Sequence, residues 1–257
     1  MTYHSLPPLG LQPIIFGNRY KASKPDELDA LLGVIAAAGY GAVEYSAPDV
    51  ELFKSLLAKH GLTHAGNHIS LNAGVDPAKV IAYMKSTGAR DVCNSGLERW
   101  GDNLTVAEYH ASIETLNRIG KAFHDEGIHF HYHNHAFEFE RVEGGPTGME
   151  ILLEGLDFSV LDLCFDVAWV HRGGEDPAAY LRKHSDKIGY LHLKDTDAEG
   201  RHWMELGRGV LDWKAIMAEV RQLPRVRWAM VEQDSTDGDP AECIRTSRDF
   251  LKSTFDY

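Results

Sequence analysis

Histidine alternates with other residues along one short stretch of the chain. His129, His131, His133 and His135 are spaced two residues apart. Because side chains in a β-strand point alternately to its two faces, all four point the same way if this stretch is a strand. Imidazole binds metals and transfers protons near neutral pH. The stretch therefore predicts a hydrogen-bonded core layer at its start and chemistry at His133 and His135, nearest the end of the strand.

Three later apolar stretches each carry a polar residue at the corresponding place. These residues are Asp166, His192 and Glu232. A buried carboxylate without a partner is costly, so these acids need a cation or strong hydrogen-bond donors. Mixed imidazole and carboxylate ligands suit Mn, Co, Zn or Fe, and also Mg when water completes the shell. We expect a divalent metal held by Asp166, His192, Glu232 and either His133 or Glu138, whose carboxylate follows in the next loop.

The elements that must position these residues recur along the whole chain. Short apolar segments alternate with amphipathic segments about eight times, and Asp-Pro pairs at Asp76, Asp176 and Asp239 mark helix starts. The predicted strands cover residues 12–17, 41–46, 63–69, 90–95, 127–135, 159–167, 188–194 and 227–233. Eight such units in one chain of 257 residues predict an α/β fold, a single (β/α)8 TIM barrel over residues 1–257. A doubly wound open sheet is the alternative, but no Gly-rich phosphate motif follows any predicted strand.

A barrel of this kind places its active site at the C-terminal ends of its strands. The metal site is therefore predicted at the ends of strands five to eight. Other polar or aromatic residues near strand ends or in the following loops are candidates for substrate binding: Glu44, His68, Trp169, Lys194, Arg201 and Arg208.

Composition narrows the choice of partners and compartment. The net charge of −12 opposes binding to nucleic acid and to anionic membranes, which need a basic surface. The chain contains three widely spaced cysteines and no run of roughly 18 apolar residues, and its N-terminus lacks the pattern of a signal peptide. We therefore expect a cytoplasmic protein that acts on a small molecule, as a possible homodimer or tetramer.

Six segments carry a family resemblance. They are YGAVEYS (40–46), HYHNHAFEF (131–139), LDLCFDVAWVHRGGEDP (161–177), GYLHLKD (189–195), ELGRGVLDW (205–213) and WAMVEQD (228–234). Together they resemble the xylose-isomerase-like TIM-barrel superfamily, in its sugar phosphate isomerase/epimerase branch. The resemblance implies one divalent metal, often manganese, bound by Asp166, His192 and Glu232. Many members end strand five with Glu, so the first ligand here is either His133 or Glu138.

The resemblance also implies a reaction. A metal-stabilised enediolate forms when a carboxylate removes a proton next to a carbonyl of a sugar, keto-sugar or cyclitol. Glu232 matches one of the two proton-transferring glutamates, and Glu138, His133 or His135 is the candidate for the second. Return of the proton gives isomerisation or epimerisation. Loss of a neighbouring group gives a lyase instead, either inosose dehydratase-like or eliminating from a 3-keto-glycoside. Two less favoured classes are a DNA-repair endonuclease that binds zinc and a non-catalytic binding barrel.

Overall fold

The computed structural model describes residues 5–71, 74–101 and 103–257. Within these ranges, eight parallel strands pair edge to edge and close into a barrel. The barrel strands are β1 (Leu9–Leu11), β2 (Ala42–Glu44), β3 (Thr63–Ser70), β4 (Asp91–Ser95), β5 (His129–His133), β6 (Asp162–Asp166), β7 (Ile188–Leu193) and β10 (Trp228–Val231), while β8 (Asp195–Thr196) and β9 (Trp203–Met204) form a separate hairpin. Around the barrel the order is β1-β10-β7-β6-β5-β4-β3-β2. The predicted (β/α)8 TIM barrel is confirmed.

Helices follow the barrel strands on the outside. They are α1 (Pro25–Ala37), α2 (Val50–His60), α3 (Pro77–Thr87), α4 (Val106–Asp125), α5 (Gly148–Gly155), α6 (Val167–Arg172), α7 (Pro177–Lys183), α8 (Trp213–Val220) and α9 (Pro240–Phe255). The side chains of Asp76, Asp176 and Asp239 accept hydrogen bonds from backbone N–H groups of the first turns of α3, α7 and α9. These three aspartates are N-caps, as the Asp-Pro pairs predict.

The first strand is misplaced by the sequence analysis. Residues 12–17 do not form a strand, because Pro13–Phe16 is a short 3-10 helix that begins after Gln12. Pro13 has no N–H to donate to a neighbouring strand, and the Gln12 side chain accepts a hydrogen bond from the Ile14 N–H at 2.7 Å. The strand lies just before it, around Gly10, where a Cβ atom would come within 2.9 Å of the Ala42 carbonyl oxygen. Only glycine fits this close approach without movement of the neighbours.

Side chains along β5 alternate between the outer face and the interior of the barrel, as predicted. Phe130 and Tyr132 pack in the large core outside the barrel, and His131 points inwards, where its Nε2 lies 3.0 Å from the Asp91 carboxylate. Asp91 also accepts a hydrogen bond from Arg227 at 2.7 Å. This buried polar layer closes the N-terminal end of the barrel. For His131 this is the hydrogen-bonded core layer that the sequence predicts, and the half-buried His129 ring stacks on His131.

A small hairpin extends the wall of the mouth beyond β7. Its strands are β8 (Asp195–Thr196) and β9 (Trp203–Met204), which pair antiparallel. The buried Asp195 carboxylate accepts hydrogen bonds from the N–H groups of Gly207 and Gly209 and from the indole of Trp213. Asp195 therefore ties the loop after the hairpin to the start of α8. Among the helices of the described ranges, none is long and apolar enough to cross a bilayer.

Candidate metal centre at the barrel mouth

Four buried side chains converge at the C-terminal end of the barrel. His133, Asp166 and His192 come from β5, β6 and β7, and Glu232 directly follows β10. One potential ligand atom from each lies within 4.8 Å of the other three. Four neighbouring strands thus bring together two imidazoles and two carboxylates, the donor set that the sequence predicts. The described residues can hold a metal ion at this point.

The two carboxylate oxygens of Asp166 have different partners. Oδ1 accepts hydrogen bonds from the N–H groups of Ala168 and Trp169 and so caps α6. Oδ2 points into the cluster, 3.3 Å from the His133 Nε2. The end of β6 is fixed to the end of β5 by Asn134, whose Oδ1 accepts from the Asp166 N–H at 3.0 Å. The ligand oxygen is therefore held in place by the fold itself.

A lysine ammonium lies among the carboxylates of the mouth. The Lys194 Nζ is 2.7 Å from the Glu232 Oε2, 2.7 Å from the Asp234 Oδ1 and 3.3 Å from the Asp166 Oδ2. Burial acts to lower the pKa of Lys194, but the three carboxylates outweigh it and the pKa is raised. Burial likewise acts to raise the pKa of Asp166 and Glu232, but Lys194 together with the neighbouring histidines outweighs it, so both pKa values are lowered. Both candidate ligands are thus held ionised.

The two histidines of the cluster differ in charge. Burial lowers the pKa of His133 to about 4, so its imidazole is neutral at pH 7 and has a lone pair to donate. For His192, burial acts in the same direction, but the Glu232 and Glu44 carboxylates outweigh it and raise the pKa. The His192 ring lies between these two acids, with Nδ1 3.1 Å from Glu232 and Nε2 3.1 Å from Glu44.

This donor set fits a divalent cation. Mn, Co, Zn and Fe accept mixed nitrogen and oxygen ligands, and here the carboxylates are ionised and His133 is neutral. A metal ion at His192 would take the Nδ1 that now faces Glu232, while Nε2–H continues to donate to Glu44. A carboxylate behind a ligand histidine is the usual arrangement in metalloproteins.

Glu138, the other candidate for the strand-five ligand, points elsewhere. The Tyr132 hydroxyl donates to its Oε1 and the His135 N–H donates to its Oε2, each at 2.8 Å. Burial raises the pKa of Glu138 to about 7. Because Tyr132 lies on the helix-facing side of β5, this carboxylate sits outside the group of four. The geometry favours His133 over Glu138 as the ligand.

Aromatic rings line the side of the mouth above β5 to β7. His135 packs against Trp100 and Trp169, with ring centroids 4.7 and 5.2 Å apart. Trp169 meets Trp203 edge-on at 4.7 Å, and the Arg172 guanidinium stacks on Trp203. Burial, together with the charge of Lys194, lowers the pKa of His135. His135 is therefore a neutral member of an aromatic wall beside the cluster.

The opposite side of the mouth holds an open cavity of about 400 Å³. Glu44 and His68 line it, together with the polar side chains of Gln12, Asn18 and Asn67. Glu44 is buried, and its Oε1 lies 2.6 Å from the His68 Nδ1. Burial acts to raise the pKa of Glu44, but His192 and His68 outweigh it and the pKa is lowered. The cavity thus combines neutral polar groups with one fixed negative charge.

The two candidate arginines are both exposed. Arg201 is exposed and lines a separate cavity of about 300 Å³ with Trp203 and residues that follow β10. Arg208 is exposed on the loop before α8. Ser95, Asn134 and Asp234 were missed by the sequence analysis, although alternation from Cys93 and from Glu232 places Ser95 and Asp234 on the inner face of their strands.

Comparison with known proteins assigns the chain to a family. The family model described as xylose isomerase-like TIM barrel matches residues 32–254. The chain belongs to this family. Among solved structures, this chain is similar to a sugar phosphate isomerase/epimerase from Parabacteroides distasonis, with 20% identity, a TM-score of 0.76 and coverage of 99% of this chain and 96% of the other. A D-allulose 3-epimerase from Methylomonas sp. gives 17% identity, a TM-score of 0.74 and coverage of 98% and 99%.

Among curated proteins, this chain is similar to the inosose dehydratase of Geobacillus thermodenitrificans. It is 27% identical over 172 residues, which are 59% of this chain and 56% of that protein. The chain spans about half the length of the curated relatives it matches.

Proposed function

We propose that the chain is a divalent-metal-dependent enzyme that isomerises or epimerises a sugar, keto-sugar or cyclitol. The observation that carries the proposal is the cluster of His133, Asp166, His192 and Glu232, with ligand atoms within 4.8 Å of one another at the mouth of the barrel. In TIM-barrel enzymes this end of the barrel bears the active site. Two of its structural neighbours, a sugar phosphate isomerase/epimerase and a D-allulose 3-epimerase, support the same reaction class.

The four residues of the cluster hold the metal in this proposal. When bound there, a divalent cation stabilises the negative charge that develops on oxygen as a proton leaves the neighbouring carbon. We take Mn²⁺ as the preferred ion because the family resemblance implies it, and a mixed set of two carboxylates and two imidazoles suits Mn as well as Co, Zn and Fe. His133 supplies the strand-five ligand, with Nε2 towards the cluster and Nδ1 towards Ser95 at 3.1 Å.

Glu232 removes and returns the proton. Its carboxylate is held ionised, so it can accept a proton from a substrate that enters the mouth. Lys194, 2.7 Å away, holds Glu232 in position and balances its charge. His135 and Glu138 remain candidates for the second proton-transfer group. His135 lines the mouth, whereas Glu138 is buried, accepts from the His135 N–H and lies outside the cluster, so His135 is the better placed of the two.

Substrate occupies the space between the aromatic wall and the 400 Å³ cavity. Trp169 offers an apolar face on one side, and Glu44 and His68 offer hydrogen-bond acceptors and donors on the other. Both fit a molecule rich in hydroxyl groups. Arg201 and Arg208 are exposed and do not line the 400 Å³ cavity, so we give them the lowest rank among the candidate contacts.

A lyase acting on the same class of substrate is the second candidate. It is favoured by the curated relatives, which are inosose dehydratases at 27% and 28% identity over about half of their length. Removal of the same proton by Glu232 followed by loss of a neighbouring hydroxyl gives dehydration, with a general acid needed at the leaving group. We further propose that the enzyme works in the cytoplasm as a homo-oligomer and binds neither nucleic acid nor membranes, in keeping with its net charge of −12.

Metal analysis and isotope exchange test the proposal. Purified protein is expected to hold about one equivalent of Mn or a similar ion, and an Asp166→Ala/His192→Ala double variant is expected to hold none. An Asp176→Ala variant, which removes a carboxylate at the start of α7, is the matched control and keeps its metal. Ketoses, inososes and 3-keto-glycosides are then screened for exchange of a carbon-bound hydrogen with solvent deuterium. Wild-type protein that takes up no metal after addition of Mn²⁺ would contradict the proposal.

The role of Glu232 has its own test. Glu232→Gln removes the proton acceptor, so exchange of the substrate hydrogen is expected to stop even at Mn²⁺ concentrations that fill the site. Full exchange in this variant would show that another group takes the proton.

A further inference from the structure

A single arginine on α6 contacts both strands of the hairpin that extends the mouth beyond β7. The Arg172 guanidinium carbon lies 3.2 Å from the centroid of the Trp203 ring on β9. Arg172 also donates two hydrogen bonds to the Thr196 hydroxyl on β8, at 2.8 and 3.0 Å, and one to the His202 carbonyl at 3.2 Å. A guanidinium stays charged and can only donate, so the direction of these bonds is the same at any physiological pH.

The hairpin is too short to be stable alone. Each of its strands is 2 residues long, and an isolated two-stranded hairpin is only marginally stable in water. One further contact comes from Gln233 after β10, whose side chain donates to the Trp203 carbonyl at 3.3 Å. The turn of the hairpin passes the stem of Arg172, since a Cβ atom on Gly200 would lie 3.7 Å from the Arg172 Cγ. Arg172 thus meets the hairpin at both strands and at its turn.

The Trp203 ring also lies against the buried ammonium group of the mouth. The Lys194 Nζ is 4.6 Å from the Trp203 centroid and 5.4 Å from the Trp169 centroid, both within the range of a cation–π contact. The carboxylates of Glu232 and Asp234 each lie 2.7 Å from the same ammonium. With both indoles in place, only 1% of the Lys194 side chain is exposed. The indoles therefore help to keep water from an ion pair whose attraction falls as the surrounding dielectric rises.

We propose that Arg172 is a positioning residue, which stacks on Trp203 and thereby holds the hairpin in place beside the Lys194–Glu232 pair. The inference rests on the proposed function for its catalytic meaning, because Glu232 is the proposed proton acceptor. The contacts themselves need neither metal nor substrate. Among the hydrogen bonds and ion pairs of the described residues, none joins Arg172 to one of the four proposed ligands. Substitution of Arg172 therefore leaves the metal cluster complete.

Two substitutions separate the stacking of Arg172 from its charge. Arg172→Met keeps a long apolar stem but removes the charge and every donor. Arg172→Lys keeps the charge but lacks the planar face that stacks and the fork that bonds twice to one hydroxyl. Both variants are therefore expected to release the hairpin, Arg172→Lys to a smaller extent. The matched control is Arg182→Met, which removes an exposed arginine that pairs with Glu219 on the outer helices.

The first measurement is fluorine NMR of protein labelled with fluorotryptophan. The chain has five tryptophans, and the Trp203 signal is assigned by its absence in Trp203→Phe. In Arg172→Met this signal is expected to move, and its response to heavy water to grow, because the ring loses its cation and meets more solvent. Arg182→Met is expected to match wild type. A Trp203 signal that keeps its position and its solvent response in Arg172→Met, or in Arg172→Lys should the first variant not fold, overturns the proposal.

The second measurement is hydrogen exchange at the Asp197 amide, which donates across the hairpin to the His202 carbonyl at 3.1 Å. Loss of a cation–π contact and of bonds from a charged donor is expected to speed this exchange in Arg172→Met by about tenfold or more. Amides of β5 and β6 are expected to exchange as in wild type. An unchanged rate at Asp197 overturns the proposal.

Titration with Mn²⁺ separates this inference from the proposed function. Arg172→Met removes a positive charge and no ligand, so it is expected to bind Mn²⁺ at least as tightly as wild type. A loss of affinity would show that Arg172 acts on the metal cluster and would overturn its assignment to the hairpin. Wild-type protein that binds no divalent metal overturns the proposed function, and the fluorine and exchange measurements still decide the role of Arg172.

Discussion

Two substitutions of Asp166 can separate its role as the N-cap of α6 from its proposed role as a metal ligand. Asp166→Asn keeps an oxygen that can accept from the Ala168 and Trp169 N–H groups, but it replaces the ionised Oδ2 with a neutral amide. Asp166→Ala removes both the cap and the ligand. Both variants remove the same negative charge beside Lys194, which retains Glu232 and Asp234 as partners at 2.7 Å. The difference between the two variants therefore isolates the cap, and the change they share isolates the ligand.

The magnitudes follow from the contacts. Loss of an N-cap costs about 1 kcal/mol, and a buried N–H without a partner costs about 1–3 kcal/mol. Asp166→Ala is therefore expected to be less stable than Asp166→Asn by about 1–3 kcal/mol. For a chain of this size each kcal/mol lowers Tm by roughly 2–4 °C. Both variants are expected to lose Mn²⁺ binding by more than about 100-fold, beyond the effect of losing an indirect partner.

The assay is thermal unfolding of the metal-free proteins together with calorimetric titration of Mn²⁺. The pair Asp176→Asn and Asp176→Ala is the control, because Asp176 caps α7 through two N–H groups and lies outside the cluster. That pair should show the stability difference without any loss of metal binding. Retention of metal affinity by Asp166→Asn would refute the assignment of Oδ2 as a ligand. Equal stability of the two Asp166 variants would refute the assignment of Oδ1 as a cap.

Three further predictions concern charge and metal. Lys194→Met leaves the neighbouring acids without their cation and is expected to cost about 3–5 kcal/mol at pH 7. Because Lys194 lowers the pKa of Asp166 and Glu232, this cost should be smaller at about pH 3, and a pH-independent loss in urea unfolding would contradict the argument. The raised pKa of Glu138, about 7 against 4.5, means that wild-type stability falls as pH rises between these values. As pH rises over that interval, the free energy of unfolding of Glu138→Gln should increase by about 1–3 kcal/mol relative to that of wild type. Parallel curves of Tm against pH for the two proteins would contradict this. Mn²⁺ at about 100 times its Kd should stabilise wild-type protein by about 2.7 kcal/mol and leave the Asp166→Ala/His192→Ala variant unchanged in a melting scan.

The sequence predicts the barrel well because its signals are local. Apolar strands, Asp-Pro caps and alternation all act over a few residues, and they locate seven of the eight barrel strands and the inner face of β5. The first strand was misplaced because β1 has three residues, one of them Gly10, so its apolar signal is weaker than that of the following IIF segment. The reason that Gly10 is needed, a close approach to Ala42, is a contact between distant parts of the chain.

The site is predictable only in part, for a related reason. Position at strand ends brings Asp166, His192 and Glu232 to one rim, as the barrel topology requires. The choice between His133 and Glu138 depends on which way a loop side chain turns, and the hydroxyl of Tyr132 on the outer face decides it in the structure. The ion pairs of Lys194 were not predicted from the sequence, because its partners come from β6 and from the residues after β10. Such pairings appear only once the chain has folded.

The short first strand has a consequence for how the barrel opens. In the described ranges, side-chain contacts at the mouth join β2 to β7 and the end of β10, and β1 takes no part in them. The residues that make these contacts are Glu44, His68, Ser95, His133, Asp166, His192 and Glu232. On its other edge, β1 is joined to β2 through the single pair Leu11 and Val43. We therefore expect local opening to start between these two strands, with faster exchange of their backbone amides than elsewhere in the wall. Gln12, which follows β1, borders the 400 Å³ cavity, so a molecule bound there should slow amide exchange at this junction.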